Sequence, residues 1–462
     1  MKYTDIRGLE LTTTSAKAVD YFNKSIAANA EYRESAVVYM ENAIAEDPNF
    51  CMAQCVLGYY AMGVEALAPE GLARSYLEAA QACDLHKVTE RERSSVEALK
   101  AWIERRQDDA ILIWEKILDH HPLDLLTMQL LHYRNFWLGK EEGIRDSISR
   151  HFSHWDSSMP NYSNVLGMYC FGLNENGNSE RALEYGRKAI DLNKDDLWAV
   201  HAVVHVLNDS GEQSAGLSFL EQFDKSWDDR TALREHLWWH EALFIWELGE
   251  YDRALQYFDD FVAKNITPFY LDVQNSASML WRLESVGVDV GDRWTTISDA
   301  ALKRIEYRYL PWTDVHVAMT LARTGQRNEL DGFLLTLEQD KNLARNARMH
   351  AVAETNLAVC KAISFYCNGD YSNALEQLLA VRSDNFRPLG ASNAQRDVIG
   401  MIAGLAALKA KEFEAARSIF SQRLEAKPQN QMTWLFLAQA AQGCGDEEGA
   451  ARARAKASTI LN

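Results

Sequence analysis

The sequence has few of the residues that interrupt helices and none of the long apolar runs that cross membranes. Proline occurs 8 times and glycine 24 times among 462 residues, and this proline share is well below the roughly 5% of average proteins. A chain so poor in helix breakers is expected to be mostly helical. Since no segment approaches the roughly 18 consecutive apolar residues of a membrane-spanning helix, we expect no membrane as a partner.

Positive charge is also scarce. The chain has 48 Lys and Arg against 66 Asp and Glu, a net charge of −18. We therefore expect no nucleic acid as a partner, because affinity for a phosphate backbone depends on Lys and Arg.

The 7 cysteines are odd in number and irregularly spaced, and the first residues lack the basic region and apolar stretch of a signal peptide. Reduced, mostly buried thiols in a cytoplasmic protein fit this pattern best.

Common catalytic motifs are missing as well. The sequence contains no Gly-x-Ser-x-Gly elbow, no phosphate-binding Gly-x4-Gly-Lys-Ser/Thr loop and no dinucleotide-binding fingerprint. The segment that begins His240-Glu241 has Phe244 where the zinc protease motif requires a second histidine. These absences leave no enzyme class that a local motif identifies.

The few prolines are regularly spaced. Apart from Pro69, they stand at positions 48, 122, 160, 268, 311, 388 and 428, separated by gaps close to multiples of about 38 residues. A period of 20 to 50 residues is typical of solenoid proteins. Turn-forming residues recur between the prolines, near residue 30, near Lys411, and at the glycines 139, 177, 211, 249, 287, 325, 369 and 445.

Small residues follow several of these turns, as Ala254 follows Gly249, and the pattern resembles the tetratricopeptide repeat. In that repeat a turn former ends the first helix of a hairpin, and small residues let the second helix pack closely. We predict an all-α, right-handed α-solenoid of about nine irregular tetratricopeptide-like helical hairpins, continuous over residues 1–462.

Histidines occupy helix positions where such repeats normally carry apolar or small residues. His201 and His205 are four residues apart, and His236 and His240 repeat this spacing 35 residues later. A spacing of four places both imidazoles on one face of a helix. Counted from the turn glycines, further histidines fall on the same stripe, which is expected to line the concave groove. The stripe comprises His132, His201, His205, His236, His240 and His316.

Three interpretations of this stripe stay open. The imidazoles can be hydrogen-bonded packing residues beside the many tryptophans, or they can line a ligand pocket with acid–base chemistry. They can also bind a divalent metal such as Zn²⁺, because two imidazoles at this spacing can chelate one ion. The two pairs would then share one ion or hold two. The candidate catalytic and metal-binding residues are His201, His205, His236 and His240, and the candidate ligand-binding residues are His132, Trp198, Trp239 and His316 in a His/Trp-lined pocket within residues 132–316.

A second polar segment stands where a first helix of a hairpin should begin. Asn393, Gln395, Arg396 and Asp397 are predicted to contribute to ligand binding by closing one end of the groove. The alternative is that Ser392 or Asn393 caps a helix and that Arg396 and Asp397 form a solvated pair.

Several segments resemble those of one known family, tetratricopeptide repeat protein 38 and its bacterial relatives. The resemblance runs through most of the chain, and it implies a helical solenoid in which the histidine stripe and the segment of residues 392–397 are family marks. It implies no activity and no catalytic role for any residue. The segments that carry it are Thr89–Glu92, Glu97–Leu99, His121–Asp124, Met159–Tyr162, Gly167–Met168, Phe171–Leu173, Trp198–Val206, His236–His240 and Ser392–Asp397.

These patterns favour a protein that binds a small or peptide-like ligand in the His/Trp-lined pocket. Hydrolytic or other acid–base chemistry at the histidines, with or without a divalent metal such as Zn²⁺, is a hypothesis that follows from their residue type. The alternative is a non-catalytic scaffold that binds peptides of a partner protein in its groove. The sequence leaves homo-oligomer formation, the substrate and the biological process open.

Overall fold

Helices account for nearly all regular structure in this chain. The structure is a computed structural model that describes residues 2–64, 67–223, 227–231, 233–382 and 386–460. This part of the chain contains 24 α-helices and one two-stranded antiparallel sheet. None of the described helices combines the length and the apolar character needed to cross a membrane.

The chain divides into two compact units. The N-terminal unit comprises residues 1–206 and 224–234, and the C-terminal unit comprises residues 207–223 and 235–462. Each unit is described by itself below, and the continuity of a single superhelix over residues 1–462 stays a prediction.

The first half of the chain begins with a short hairpin that the sequence analysis did not predict. Its strands, β1 and β2, pair antiparallel with Tyr3 opposite Leu11. The elements up to the middle of the chain are β1 (Lys2–Thr4), β2 (Glu10–Thr12), α1 (Ala16–Ala30), α2 (Ser35–Glu46), α3 (Cys51–Gly63), α4 (Leu67–Ala82), α5 (Glu90–Ile103), α6 (Gln107–His120), α7 (Leu125–Trp137), α8 (Glu141–Ser149), a 3-10 turn (Phe152–His154), α9 (Tyr162–Glu175), α10 (Ser179–Leu192) and α11 (Leu197–Asp209).

Among the residues that the structure describes, every element named in the second half is a helix or a helical turn. Its elements are α12 (Gln213–Leu220), α13 (Leu233–Glu247), α14 (Tyr251–Tyr257), a π-helical turn (Phe258–Val262), α15 (Tyr270–Ser285), α16 (Arg293–Leu302), α17 (Pro311–Arg323), α18 (Arg327–Asn342), α19 (Ala347–Cys367), α20 (Tyr371–Ala380), a 3-10 turn (Arg387–Leu389), α21 (Asn393–Lys409), α22 (Phe413–Ala426), α23 (Gln431–Gly443) and α24 (Glu447–Ile460).

Consecutive helices pack together as hairpins. Five hairpins lie in the N-terminal unit, from α1–α2 to α9–α10, and five lie in the C-terminal unit, from α15–α16 to α23–α24. These ten contact pairs within the described residues are close to the nine hairpins predicted. The all-α solenoid fold of tetratricopeptide-like hairpins is therefore confirmed.

The turn glycines have the backbone conformation for which glycine is suited. All eight glycines predicted to end a helix lie in the left-handed region, with φ between 65° and 88°. A side chain would raise the energy of this conformation. Tyr32 and Lys411 adopt it without being glycines, at φ of 61° and 63°. The repeat boundaries predicted from turn formers are confirmed at these positions.

Some helices of each unit also contact helices that are distant in sequence. In the N-terminal unit α1 contacts α7, and Asn29 Nδ2 donates to Gln129 Oε1 at 2.7 Å. In the C-terminal unit α15 contacts α21. All six histidines of the stripe are nearly inaccessible to solvent.

Candidate functional site

The first histidine pair lies in α11 of the N-terminal unit. Asp196 precedes this helix and accepts a hydrogen bond from the backbone N–H of Ala199 at 3.0 Å, which satisfies one of the unpaired donors of the first turn. His201 and His205 share one helix face, as their spacing predicted. Their ring centroids are 4.5 Å apart, and their Nε2 atoms are 3.0 Å apart.

Aromatic rings and a carboxylate surround this pair. The ring of Phe171 in α9 stacks on the imidazole of His201 with their centroids 5.8 Å apart. The centroid of the Trp198 ring lies 4.8 Å from that of the same imidazole. Glu175, at the end of α9, places Oε1 3.8 Å from His205 Nδ1, and its side chain is fully buried. Sequence analysis did not identify Glu175, although a glutamate among the apolar residues of a first helix was a usable signal.

The Nε2–Nε2 distance fits two arrangements. In the first, one imidazole N–H donates to the other ring. In the second, both nitrogens face one Zn²⁺-like ion, since Zn–N bonds of about 2.0–2.1 Å separate two ligand nitrogens by about 2.9–3.4 Å. A carboxylate near the opposite nitrogen of an imidazole is the usual device that orients a metal-binding histidine.

The second histidine pair lies in α13 and belongs to the C-terminal unit. The rings of His236 and His240 are 4.8 Å apart, and Trp239 stacks on His236 at 5.2 Å. His236 Nδ1 lies 2.9 Å from Asn275 Oδ1. Because an amide oxygen only accepts, Nδ1 carries the proton and Nε2 is the acceptor nitrogen of this ring. Burial lowers the pKa of His236 to about 4, so the ring is neutral at pH 7.

His132 and His316 are held in a different way. His132 Nδ1 donates to Ile144 O at 3.3 Å, and His316 Nδ1 donates to Trp312 O within its own helix at 2.7 Å. Burial lowers the pKa of each imidazole to about 3. These contacts support the packing interpretation for both residues, and their role in ligand binding stays a prediction.

A small cavity lies beside Trp198 in the N-terminal unit. It has a volume of about 10 Å³ and is lined by Ala30, Tyr32, Leu125, Gln129, Tyr133, Asn164, Met168 and Trp198. Pockets for drug-sized ligands usually have about 300–1,000 Å³. The cavity therefore has room for one small group of a ligand, and the predicted pocket within residues 132–316 stays a prediction.

The polar segment before α21 forms a helix cap. The Ser392 side chain accepts from the backbone N–H of Gln395, and the Gln395 side chain accepts from the backbone N–H of Ser392. This confirms the capping interpretation. The prediction that Arg396 and Asp397 form a solvated pair is wrong, because Arg396 is 1% exposed and donates to Asn393 Oδ1 at 2.8 Å. A ligand-binding role for Asn393, Gln395, Arg396 and Asp397 stays a prediction.

Asp397 belongs to a buried charge cluster within the C-terminal unit. Arg423 binds it through Nε at 2.9 Å and Nη2 at 2.8 Å, and Arg423 and Lys427 each also donate to Glu247 Oε1 at 2.9 Å. Burial opposes ionisation of Asp397, but Arg423 and Lys427 hold its pKa well below its usual value. Because its members come from three distant segments, the cluster has no local sequence signature.

Comparison with known proteins assigns no family to this chain. No family model matches the sequence. The chain is similar to the human IFIT1 dimer with m7Gppp-AAAA at 12% identity and a TM-score of 0.42. It is also similar to the human IFIT1 dimer with PPP-AAAA at 12% identity and a TM-score of 0.41. A monomeric IFIT1 mutant with Gppp-AAAA matches at 11% identity and a TM-score of 0.39.

Each of these matches covers 97% of this chain and 96% of the other chain. At such low identities and TM-scores the likeness carries no argument about a ligand. The exclusion of nucleic acid rests on the net charge of this protein alone and stays a prediction.

Proposed function

We propose that this protein binds a divalent metal ion such as Zn²⁺ through its paired histidines and uses it in acid–base or hydrolytic chemistry on a small or peptide-like ligand. The observation that carries the proposal is the first pair, in which the Nε2 atoms of His201 and His205 lie 3.0 Å apart in a buried site. The second pair, His236 and His240, has the same spacing and is proposed to bind metal in the same way.

The surroundings of the first pair support a metal site. The buried side chain of Glu175 lies 3.8 Å from His205 Nδ1, and a carboxylate on that side of the ring orients an imidazole for metal binding through its other nitrogen. Bound zinc lowers the pKa of a coordinated water to about 7, which is the basis of the hydrolytic part of the proposal.

Metal analysis of the purified protein tests the first pair. We expect about one equivalent of zinc per histidine pair after purification without chelators, and a loss of about one equivalent in the double variant His201→Ala/His205→Ala. The matched control is His86→Ala/His350→Ala, since both of these histidines are exposed, and it should keep the metal. Circular dichroism verifies that both variants are folded.

A metal content below one tenth of an equivalent, unchanged after zinc is added back, would contradict the proposal. The histidine pair would then be a hydrogen-bonded packing pair. The same measurement on His236→Ala/His240→Ala tests the second pair.

The alternative function is a non-catalytic scaffold for peptides of a partner protein. It is favoured by two exposed apolar residues, Leu335 within α18 and Leu343 directly after that helix, which are 61% and 73% exposed. This alternative predicts binding of a partner that Leu335→Glu/Leu343→Glu abolishes while the metal content stays unchanged.

We also propose that the chain is a bacterial-type member of the tetratricopeptide repeat protein 38 family and that it is cytoplasmic. The support is the set of segments named in the sequence analysis, above all residues 198–206 and 236–240. An alignment of that family tests the assignment, and absence of both histidine pairs from the family sequences would contradict it.

A further inference from the structure

Three aromatic rings meet at the cavity of the N-terminal unit. Tyr32 stacks on Trp198 with ring centroids 5.6 Å apart, and Tyr133 is tilted against Trp198 at 5.4 Å. The lining also contains the amides of Gln129 and Asn164. Aromatic faces with a few polar groups are the usual composition of a small-molecule subsite.

Two polar atoms of this lining have no hydrogen-bond partner in the structure. The Trp198 Nε1–H and the Tyr32 hydroxyl are both buried and unpaired, and Trp198 as a whole is only 6% exposed. Buried donors of this kind normally have a partner, because an unpaired one costs about 1–3 kcal/mol. An indole N–H can only donate, so the missing group must be a hydrogen-bond acceptor.

The surroundings select against a charged acceptor. No cationic side chain is among the lining residues. Behind the lining, Asn164 Nδ2 donates to Asp196 at 3.0 Å, and Asp196 is itself buried beside Glu31. A carboxylate or phosphate in the cavity would have no cation among the lining residues to balance its charge, whereas a neutral carbonyl oxygen needs none.

The hairpin turn between α1 and α2 places Tyr32 at the cavity. Tyr32 has a φ of 61°, which is unfavourable for a residue with a side chain. Its carbonyl accepts a hydrogen bond from the backbone N–H of Thr231 at 2.7 Å, which helps to hold this conformation.

We propose that this cavity is the subsite for the carbonyl group of a neutral amide, as in an N-acyl or peptide ligand. The carbonyl oxygen accepts hydrogen bonds from Trp198 Nε1–H and the Tyr32 hydroxyl, and the planar amide lies against the aromatic rings. A volume of about 10 Å³ accommodates one such oxygen, since this is about the space that one water occupies. This inference defines the ligand class of the proposed function and rests on it.

Saturation-transfer NMR with N-methylacetamide tests the proposal. We expect saturation transfer from the full-length protein to this amide, and a dissociation constant about 2- to 12-fold higher in Trp198→Phe and in Tyr32→Phe, because each variant keeps its ring and loses one hydrogen bond. The matched control is Trp434→Phe, whose Nε1–H donates to Pro428 O at the surface. It should bind the amide as the unchanged protein does.

Two further probes separate the amide from other occupants. Sodium acetate supplies an anionic acceptor, and tetramethylammonium supplies a cation for the aromatic rings. Stronger saturation transfer to either of them than to N-methylacetamide would overturn the proposal, as would unchanged amide binding in both Trp198→Phe and Tyr32→Phe. The experiment is done with chelator-treated protein, so that failure of the metal proposal and failure of amide binding are observed separately.

Discussion

Replacing Glu247 by glutamine is expected to destabilise the C-terminal unit strongly. The Glu247 side chain is fully buried and accepts hydrogen bonds from Arg423 and Lys427, each at 2.9 Å, and from Asn430. The substitution keeps the shape of the side chain and removes its negative charge. Asp397 would then be left as the one acidic partner of both cations in the cluster.

The size of the effect follows from burial. Removing one partner of a buried ion pair costs about 3–5 kcal/mol, because the remaining charge is left uncompensated in a poorly solvating environment. For a unit of this size each kcal/mol corresponds to about 2–4 °C in the melting temperature, so Glu247→Gln should lower the unfolding temperature by about 6–20 °C. An exposed pair contributes about 0.2–1 kcal/mol.

Glu250 provides the matched control, since it pairs with Arg253 at 2.9 Å and both side chains are nearly half exposed. Differential scanning calorimetry should show a large shift for Glu247→Gln and a shift of at most about 4 °C for Glu250→Gln. Equal shifts in the two variants would refute the reasoning.

Acid titration gives a second readout of the same cluster. Burial opposes ionisation of Glu247, but Lys427 and Arg423 hold its pKa below the ordinary value of 4.5. A carboxylate with a lowered pKa stabilises the folded state at pH values above its unfolded pKa, and this stabilisation is lost as the pH falls below that value. The acid limb of the stability curve should therefore be shallower in Glu247→Gln than in the unchanged protein.

Four other substitutions test separate features. Burial raises the pKa of Asp314 from 3.8 to about 7, so its contribution to stability is lost as the pH rises from about 4 to 7, and Asp314→Asn should flatten this part of the pH dependence of the melting temperature. Gly186→Ala should cost about 1–3 kcal/mol in urea unfolding, because its Cβ would lie 2.5 Å from Val203 Cγ2. Gly332→Ala, with nothing within 4 Å, should instead stabilise α18 by about 0.5–1 kcal/mol. Ser392→Ala removes the cap of α21 and should cost about 1 kcal/mol, measured by the same unfolding experiment.

The periodic features of this chain could be predicted from its sequence because they depend on local chemistry. A glycine that must adopt a positive φ recurs at each hairpin turn, so Gly177 and Gly325 identify repeat boundaries directly. The spacing of four residues placed His201 and His205 on one helix face without knowledge of the packing.

The remaining features depend on contacts between residues distant in sequence. Glu247 and Lys427 are 180 positions apart, and a buried glutamate looks like an exposed one until its partners are known. Glu175 lies on a different helix from His205, the histidine that it approaches. The pairing of β1 with β2 is a contact between two strands and has no signal in the sequence of β1 alone. Tyr32 has a positive φ without being a glycine, so its position at the cavity could not be predicted from its residue type.

Anomalous diffraction at the zinc absorption edge, from crystals of protein purified without chelators, tests the central claim most directly. The account predicts a peak within about 2.0–2.1 Å of the Nε2 atoms of both His201 and His205. Absence of a peak after a zinc soak, with the two nitrogens still about 3.0 Å apart as a direct hydrogen bond, would contradict it.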